Sequence, residues 1–333
     1  MGVGAREPSK KGIKVALGCG VGALFLWLAF RNARFGELAE TLDGLQWRWL
    51  LAAIGVSVLI QLFRAWRWQV ELRPLEHVPL LRVWLITSVS YMAINLLPAR
   101  LGELSRPWLM ARKSSVSFAN VVGNLVVEKT LDSLVLVLYI LLGLLTTAGL
   151  PGWVRHGALL PAALAAVLVA FVWLLWARGE AFFESKVLKR LPEKPAATVR
   201  KIVSAIVAGM RILPDKRLLA TAIALSIALW SLPILSSYVM IRAFGFDVPF
   251  SAAVMIFIFI GVGAAIPNAP GMVGTFQYAC ILALGLFGIS ESQALAYGLA
   301  LNAVQLLTLV TQGLIALPIL GVRFGEVMRG EGA

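Results

Sequence analysis

Three ionisable residues stand together in a stretch that is otherwise almost uniformly apolar: Glu128, Lys129 and Asp132, inside residues 121–144. Glu128 and Asp132 are i and i+4 apart, so on a helix they share one face, with Lys129 beside them. A charge near the centre of a bilayer costs about 2.5–3.5 kcal/mol on insertion scales, so such groups turn inward and pair. The chemistry this allows is recognition of a lipid headgroup or the carriage of protons. The other reading places this turn at the cytoplasmic interface, not far beyond Ser117, where charges cost less.

Two further groups follow breaks in apolar runs. One run ends at Asn95 to Pro98 and leads into Arg100, Gly102, Glu103 and Arg106; another ends at Pro267 and leads into Asn268, Pro270, Gly271, Gly274 and Gln277. Proline removes a backbone donor and disfavours helix in the residue before it, so both regions interrupt their helices. Lipid cannot satisfy non-helical backbone, so such breaks line a protein interior or a wet cavity. Half-helices starting at Gly102 and Gly271 would aim free N–H groups and a partial positive charge at that interior. With Arg100 and Arg106 close by, the first break suits a phosphate. The plainer reading is that the prolines kink helices and the arginines snorkel to headgroups.

The elements that must position these residues follow from composition. Of 333 residues, 59% are hydrophobic and 14% are charged, against about a quarter charged in soluble domains. That leaves too little polar surface for a water-soluble globule and excludes a disordered chain, a nucleic-acid-binding domain or a disulfide scaffold. An all-α polytopic membrane protein remains. A crossing needs about 20 apolar residues, and six segments meet that length: roughly 13–31, 49–68, 116–148, 157–177, 218–241 and 293–320. The first follows a basic stretch but has no small-x-small cleavage site, so it reads as an uncleaved helix.

Charge sets the orientation. The 30 Lys and Arg outnumber the 17 Asp and Glu, and cytoplasmic loops carry such an excess. The N-terminal tail, the 64–82 connection (Arg64, Arg67, Arg73, Arg82) and the loop 178–217 with its ten Lys/Arg are all expected inside. Every basic segment stays inside when residues 79–113 and 251–289 are re-entrant hairpins or paired half-helices; full double crossings remain the alternative. The expected architecture is therefore one membrane domain, residues 1–333, of about six full helices and two broken hairpins. Its halves, 13–150 and 157–320, repeat one order of elements in opposite directions, an inverted-topology repeat of the kind secondary transporters use.

Catalytic signals are absent from the sequence. Cys19 and Cys280 lie in apolar runs, and His77 and His156 have no companion ligands at metal spacing. There is no P-loop, no G-x-S-x-G, and no G-x-G-x-x-G opening a helix after a strand. No cofactor or metal is expected. Asn302 and Gln305, i and i+3 in the last long segment, read as polar joints between helices. The pairs Trp47/Trp49 and Trp66/Trp68 read as interfacial belts.

The motif Leu97-Pro98-Ala99-Arg100-Leu101-Gly102-Glu103-Leu104-Ser105-Arg106, the motif from Pro267 through Gly274, and Val127-Glu128-Lys129-Thr130-Leu131-Asp132 between them resemble the flippase-like family. That family is also called the lysylphosphatidylglycerol synthase transmembrane region. The resemblance covers nearly the whole chain, and it implies a bacterial or archaeal inner-membrane protein that translocates lipids or polyprenyl-linked lipids. In the synthases a similar region precedes an aminoacyl-transferase domain. This sequence ends at Ala333 with no such domain, so the synthase activity is not carried over, and with catalytic signals absent no enzyme activity is expected. Lys129 stands where many relatives carry arginine, and Gln277 where an acidic residue is common.

The expected function is ATP-independent movement of an anionic lipid between leaflets, with membrane lipids as partners. Arg100 and Arg106 would hold the phosphate, Glu103, Glu128 and Asp132 would orient them or carry protons, and Asn268 to Gly274 would form the opposing gate. A membrane-embedded lipid-modifying enzyme or a non-transporting scaffold is the alternative.

Overall fold

The structure is a computed structural model and describes residues 10–96, 102–147, 151–157, 159–186, 192–264 and 269–329. All regular elements among these residues are helical. In chain order they are α1 (Lys10–Phe30), α2 (Phe35–Asp43), α3 (Trp47–Leu72), α4 (Leu80–Leu96), α5 (Ser105–Lys113), α6 (Phe118–Thr146), α7 (Gly152–Gly157) and α8 (Leu159–Lys186). There follow α9 (Glu193–Gly209), α10 (Lys216–Ala243), α11 (Phe250–Gly263), α12 (Thr275–Gly285), α13 (Glu291–Leu320) and α14 (Phe324–Arg329).

Among the described residues four segments are long and apolar enough to cross a bilayer: Trp47–Leu72, Val154–Arg178, Lys216–Ala243 and Glu291–Leu320. They coincide with four of the six expected spans. Gly20–Phe30, Leu80–Leu96 and Phe250–Gly263 are shorter apolar helices, and α6 is long but carries the three charges near its middle. Large apolar side chains point outward along these helices, among them Trp27, Leu59, Leu145, Trp173 and Ile319. An apolar exterior of this kind is stable only against hydrocarbon, since water would expose all of that area. The chain is an integral membrane protein.

Pro98 and Pro267 lie outside the described residues, between helices that are described on either side. Helix α4 stops at Leu96 and α5 begins at Ser105; α11 stops at Gly263 and α12 begins at Thr275. The new helices start later than the glycines Gly102 and Gly271. A short 3-10 turn occupies residues 102–104 in one case and Pro270–Met272 in the other. In the second break Gly271, Met272 and Gly274 have positive φ, which an α-helix cannot accommodate, so α12 has to wait for Thr275.

The order of elements repeats along the chain. Helices α3, α4, α5 and α6 have 26, 17, 9 and 29 residues; α10, α11, α12 and α13 have 28, 14, 11 and 30. Each set runs long helix, shorter helix, break, short helix, long helix.

The chain forms two compact units, each drawing on both ends of the sequence. The first comprises Met1–Ser57, Tyr91–Glu103 and Ile234–Thr311. Within it α1 lies against the second break: a Cβ on Gly274 would run into the Gly22 carbonyl, and one on Gly22 into Ala269. The link after α1 is tied to the start of α13 by Asn32 donating to Glu291 and the Arg34 backbone N–H donating to Ser292. The second unit comprises Val58–Ser90, Leu104–Pro233 and Gln312–Ala333. In it Gly123 of α6 and Gly209 of α9 let those helices touch backbone to backbone, where any Cβ would collide with Ile206 or Asn120. Close approach through small residues is the usual way membrane helices associate.

Candidate functional site

The second unit encloses a network of five ionisable side chains. Helix α3 contributes Arg67 and Glu71, i and i+4 on one face, and Trp68 between them. Helix α6 contributes Asn124, Glu128 and Asp132, a stripe with i+4 spacing. Helix α5 contributes Arg106 from its first turn, where Pro107 needs no donor partner. The apolar side chains Val70, Val127, Leu131, Met210 and Leu225 pack together in the same unit. Around such charges an apolar wall lowers the local dielectric and strengthens each pairing.

Arg67 is the hub. Its Nη1 lies 2.5 Å from Asp132 Oδ1 and donates to Ser226 Oγ at 3.2 Å. Its Nη2 is 3.1 Å from Glu128 Oε1, and its Nε is 3.6 Å from Glu71 Oε1. Arg106 Nη1 sits 2.8 Å from both carboxylate oxygens of Glu128 and donates to Oε1. Its guanidinium lies 3.9 Å over the Trp68 ring, a cation–π contact of the kind that strengthens when desolvated. The Trp68 indole N–H donates to Asn124, whose side-chain amide donates to the Glu71 carbonyl. Trp230 of α10 donates its indole N–H to Asp132 Oδ1 at 2.7 Å.

Burial is nearly complete. The side chains of Glu71 and Glu128 are fully buried and those of Arg67 and Arg106 keep 2% and 5% exposure, while Asp132 keeps 15% and forms the accessible edge. Glu128 is thus a carboxylate shared by two guanidiniums from different helices. Charges buried this deeply survive only when paired, and removing one partner costs about 3–5 kcal/mol. A second anion with phosphate geometry can replace a carboxylate on arginine, because the guanidinium fork fits either.

Of the residues expected from the sequence, Arg106, Glu128 and Asp132 meet in this network. Lys129 is exposed on a different side of α6, and Glu103 is half-buried in the turn before α5. Gly102 is buried where a Cβ would run into the Ala93 and Ile94 backbone, so residue 102 packs on α4 in a way only glycine permits. Arg100 and Asn268 lie outside the described residues. Sequence reasoning missed Arg67, Glu71 and Trp68. Arg67 was expected as a loop marker and Trp68 as part of an interfacial belt, but α3 continues to Leu72 and buries both. Trp66 alone of that tryptophan pair is exposed. The available signal was Arg67 and Glu71 at i, i+4 spacing beside an apolar run.

The residues of the second break form a separate, uncharged cluster in the first unit. Gln277 Oε1 accepts from the Gly274 backbone N–H at 2.7 Å, and its Nε2 reaches Asn302 Oδ1 at 3.5 Å. Asn302 Nδ2 donates to the Gly271 carbonyl at 3.1 Å. Pro270 opens the 3-10 turn ahead of them. The amides therefore hold the irregular backbone at both ends, which is the requirement for a break at membrane depth.

A chain whose described elements are all helical, with large apolar side chains facing outward and a buried ion network, is a polytopic membrane protein with an internal polar site. More narrowly, the chain belongs to the lysylphosphatidylglycerol synthase transmembrane region family, whose model matches residues 15–313. It is also similar to a UPF0104 membrane protein of Methanothermobacter thermautotrophicus, 23% identical over 309 residues, covering 87% of this chain and 91% of that one.

Proposed function

We propose that this protein carries an anionic phospholipid or a polyprenyl-linked lipid phosphate between the leaflets of the cytoplasmic membrane, without chemistry of its own. The observation that supports this most is the sharing of Glu128 by Arg67 and Arg106, a pairing a phosphate can enter by competition. Membership in a family named for a membrane lipid fits the same substrate class. The recurrence of a broken element in each half matches transporters with inverted repeats. The excess of cations in 178–217 and in the N-terminal tail supports cytoplasmic termini.

The test is exchange of fluorescent lipids in proteoliposomes. Wild-type protein accelerates exchange of an anionic lipid over a zwitterionic one, and Arg106→Gln abolishes it while the protein still elutes as a folded species. Equal exchange by the variant removes the phosphate role from Arg106. A folded wild-type protein that exchanges neither lipid overturns the transport reading and favours a scaffold. Labelling of Asp43→Cys from outside and Arg200→Cys from inside, in a background without Cys19 and Cys280, checks the orientation.

A further inference from the structure

The network holds more acid than base. Arg67 and Arg106 supply two positive charges, and Glu71, Glu128 and Asp132 supply three carboxyl groups. Glu128 and Asp132 take the short contacts to the guanidiniums. Glu71 does not: it is fully buried, neither of its carboxyl oxygens has a hydrogen-bond partner, and Arg67 Nε approaches only to 3.6 Å. The charged groups facing it are Arg67 on its own helix, Arg106 on α5, and Glu128 and Asp132 on α6. Lys129 is exposed and borders Glu128 rather than Glu71.

An ionised carboxylate this deep, accepting no hydrogen bond, is far costlier than a neutral acid, so such a group takes up a proton instead. We propose that Glu71 is a proton-binding site, holding the proton that brings the buried network to zero net charge. The site sits one residue pair away from the anion-binding arginines, which gives it a role in transport. When a phosphate engages Arg106 or Arg67, those guanidiniums are drawn from their carboxylates, and the network gains negative charge. Because Glu71 holds its proton, that gain starts from a neutral network rather than from a negative one. Anion and proton binding therefore favour each other, and by linkage each raises the affinity for the other by the same factor. Lipid phosphate then moves together with a proton. This second step rests on the transport reading above, whereas the proton on Glu71 does not.

Two measurements separate the claims. In the purified protein at neutral pH, infrared difference spectra show the carbonyl band of a buried neutral carboxylic acid, and Glu71→Gln loses it. A wild-type protein without that band, or a variant that keeps it, overturns the proton site. Glutamine matches the neutral acid in shape and charge, so Glu71→Gln is expected to fold; failure of that variant to fold also counts against the proposal. In proteoliposomes an inward pH gradient accelerates anionic-lipid exchange by wild-type protein, and in Glu71→Gln the ratio of exchange with the gradient to exchange without it falls to one, whatever the variant's basal rate. A variant that still responds contradicts the coupling. A wild type with the acid band and no lipid exchange at all leaves the proton site standing and removes only the transport reading.

Discussion

The two breaks are built alike and filled differently. After the first, Arg106 near the start of α5 reaches back to Glu128 in the next long helix; after the second, Gln277 near the start of α12 reaches Asn302 in the next long helix. The partners are 22 residues apart in one case and 25 in the other, so the same step in the repeated element order holds an ion pair once and an amide pair once. An ion pair can be opened by a competing anion or a proton, because either changes its electrostatics. An amide pair has no such handle. On the proposed function, exchangeable chemistry belongs to the first break and fixed support of the backbone to the second.

Several substitutions break or sharpen this contrast. The largest effect is expected from Glu128→Ala, which leaves two buried guanidiniums with less than their share of negative charge. A loss of about 3–5 kcal/mol follows, read as a lower unfolding midpoint in detergent; a loss below about 1 kcal/mol would mean that the pair contributes little. Gln277→Ala strands the Gly274 N–H and weakens the hold of Asn302. Its cost is about 1–3 kcal/mol, and lipid exchange per folded molecule stays near the wild-type rate. A variant that folds well and loses exchange would show that the second break does more than support. Gly274→Ala tests the same frame through the backbone. Its φ of 92° and the Gly22 carbonyl in the way make it destabilising by about 1–3 kcal/mol from strain alone. The smallest effect falls outside both clusters. Arg112 pairs with Glu326 at 3.1 Å with both side chains well exposed, so Arg112→Ala shifts stability by about 1 kcal/mol or less.

The legible part of this molecule in its sequence is the part set by local chemistry. Prolines at 98, 267 and 270 predict interruptions because the missing donor acts on its own helix, and of the three Pro270 is described, opening the 3-10 turn ahead of α12. The i+4 spacing of Glu128 and Asp132 shows that they share a face, since helical geometry alone decides it. The partners of those acids were harder to find. Arg67 reads as one more basic residue near a span end, and only the continuation of α3 to Leu72 places it inside. Asn302 was read as a joint between helices and does join α13 to the second break, but its strongest bond goes to the Gly271 backbone. Such pairings join residues far apart in the chain, and tertiary packing chooses them.

The central claim is that charge at the first break is what carries the lipid. The direct measurement converts that break into a copy of the second: Arg106→Gln together with Glu128→Asn, reconstituted and assayed for exchange of a labelled anionic phospholipid. Removing both charges at once leaves neither of that pair unmatched, and Arg67 keeps its contact to Asp132, so the double variant is expected to fold. The account predicts a folded protein whose anionic-lipid exchange falls to the level of empty liposomes. Exchange at the wild-type rate by that double variant would contradict it.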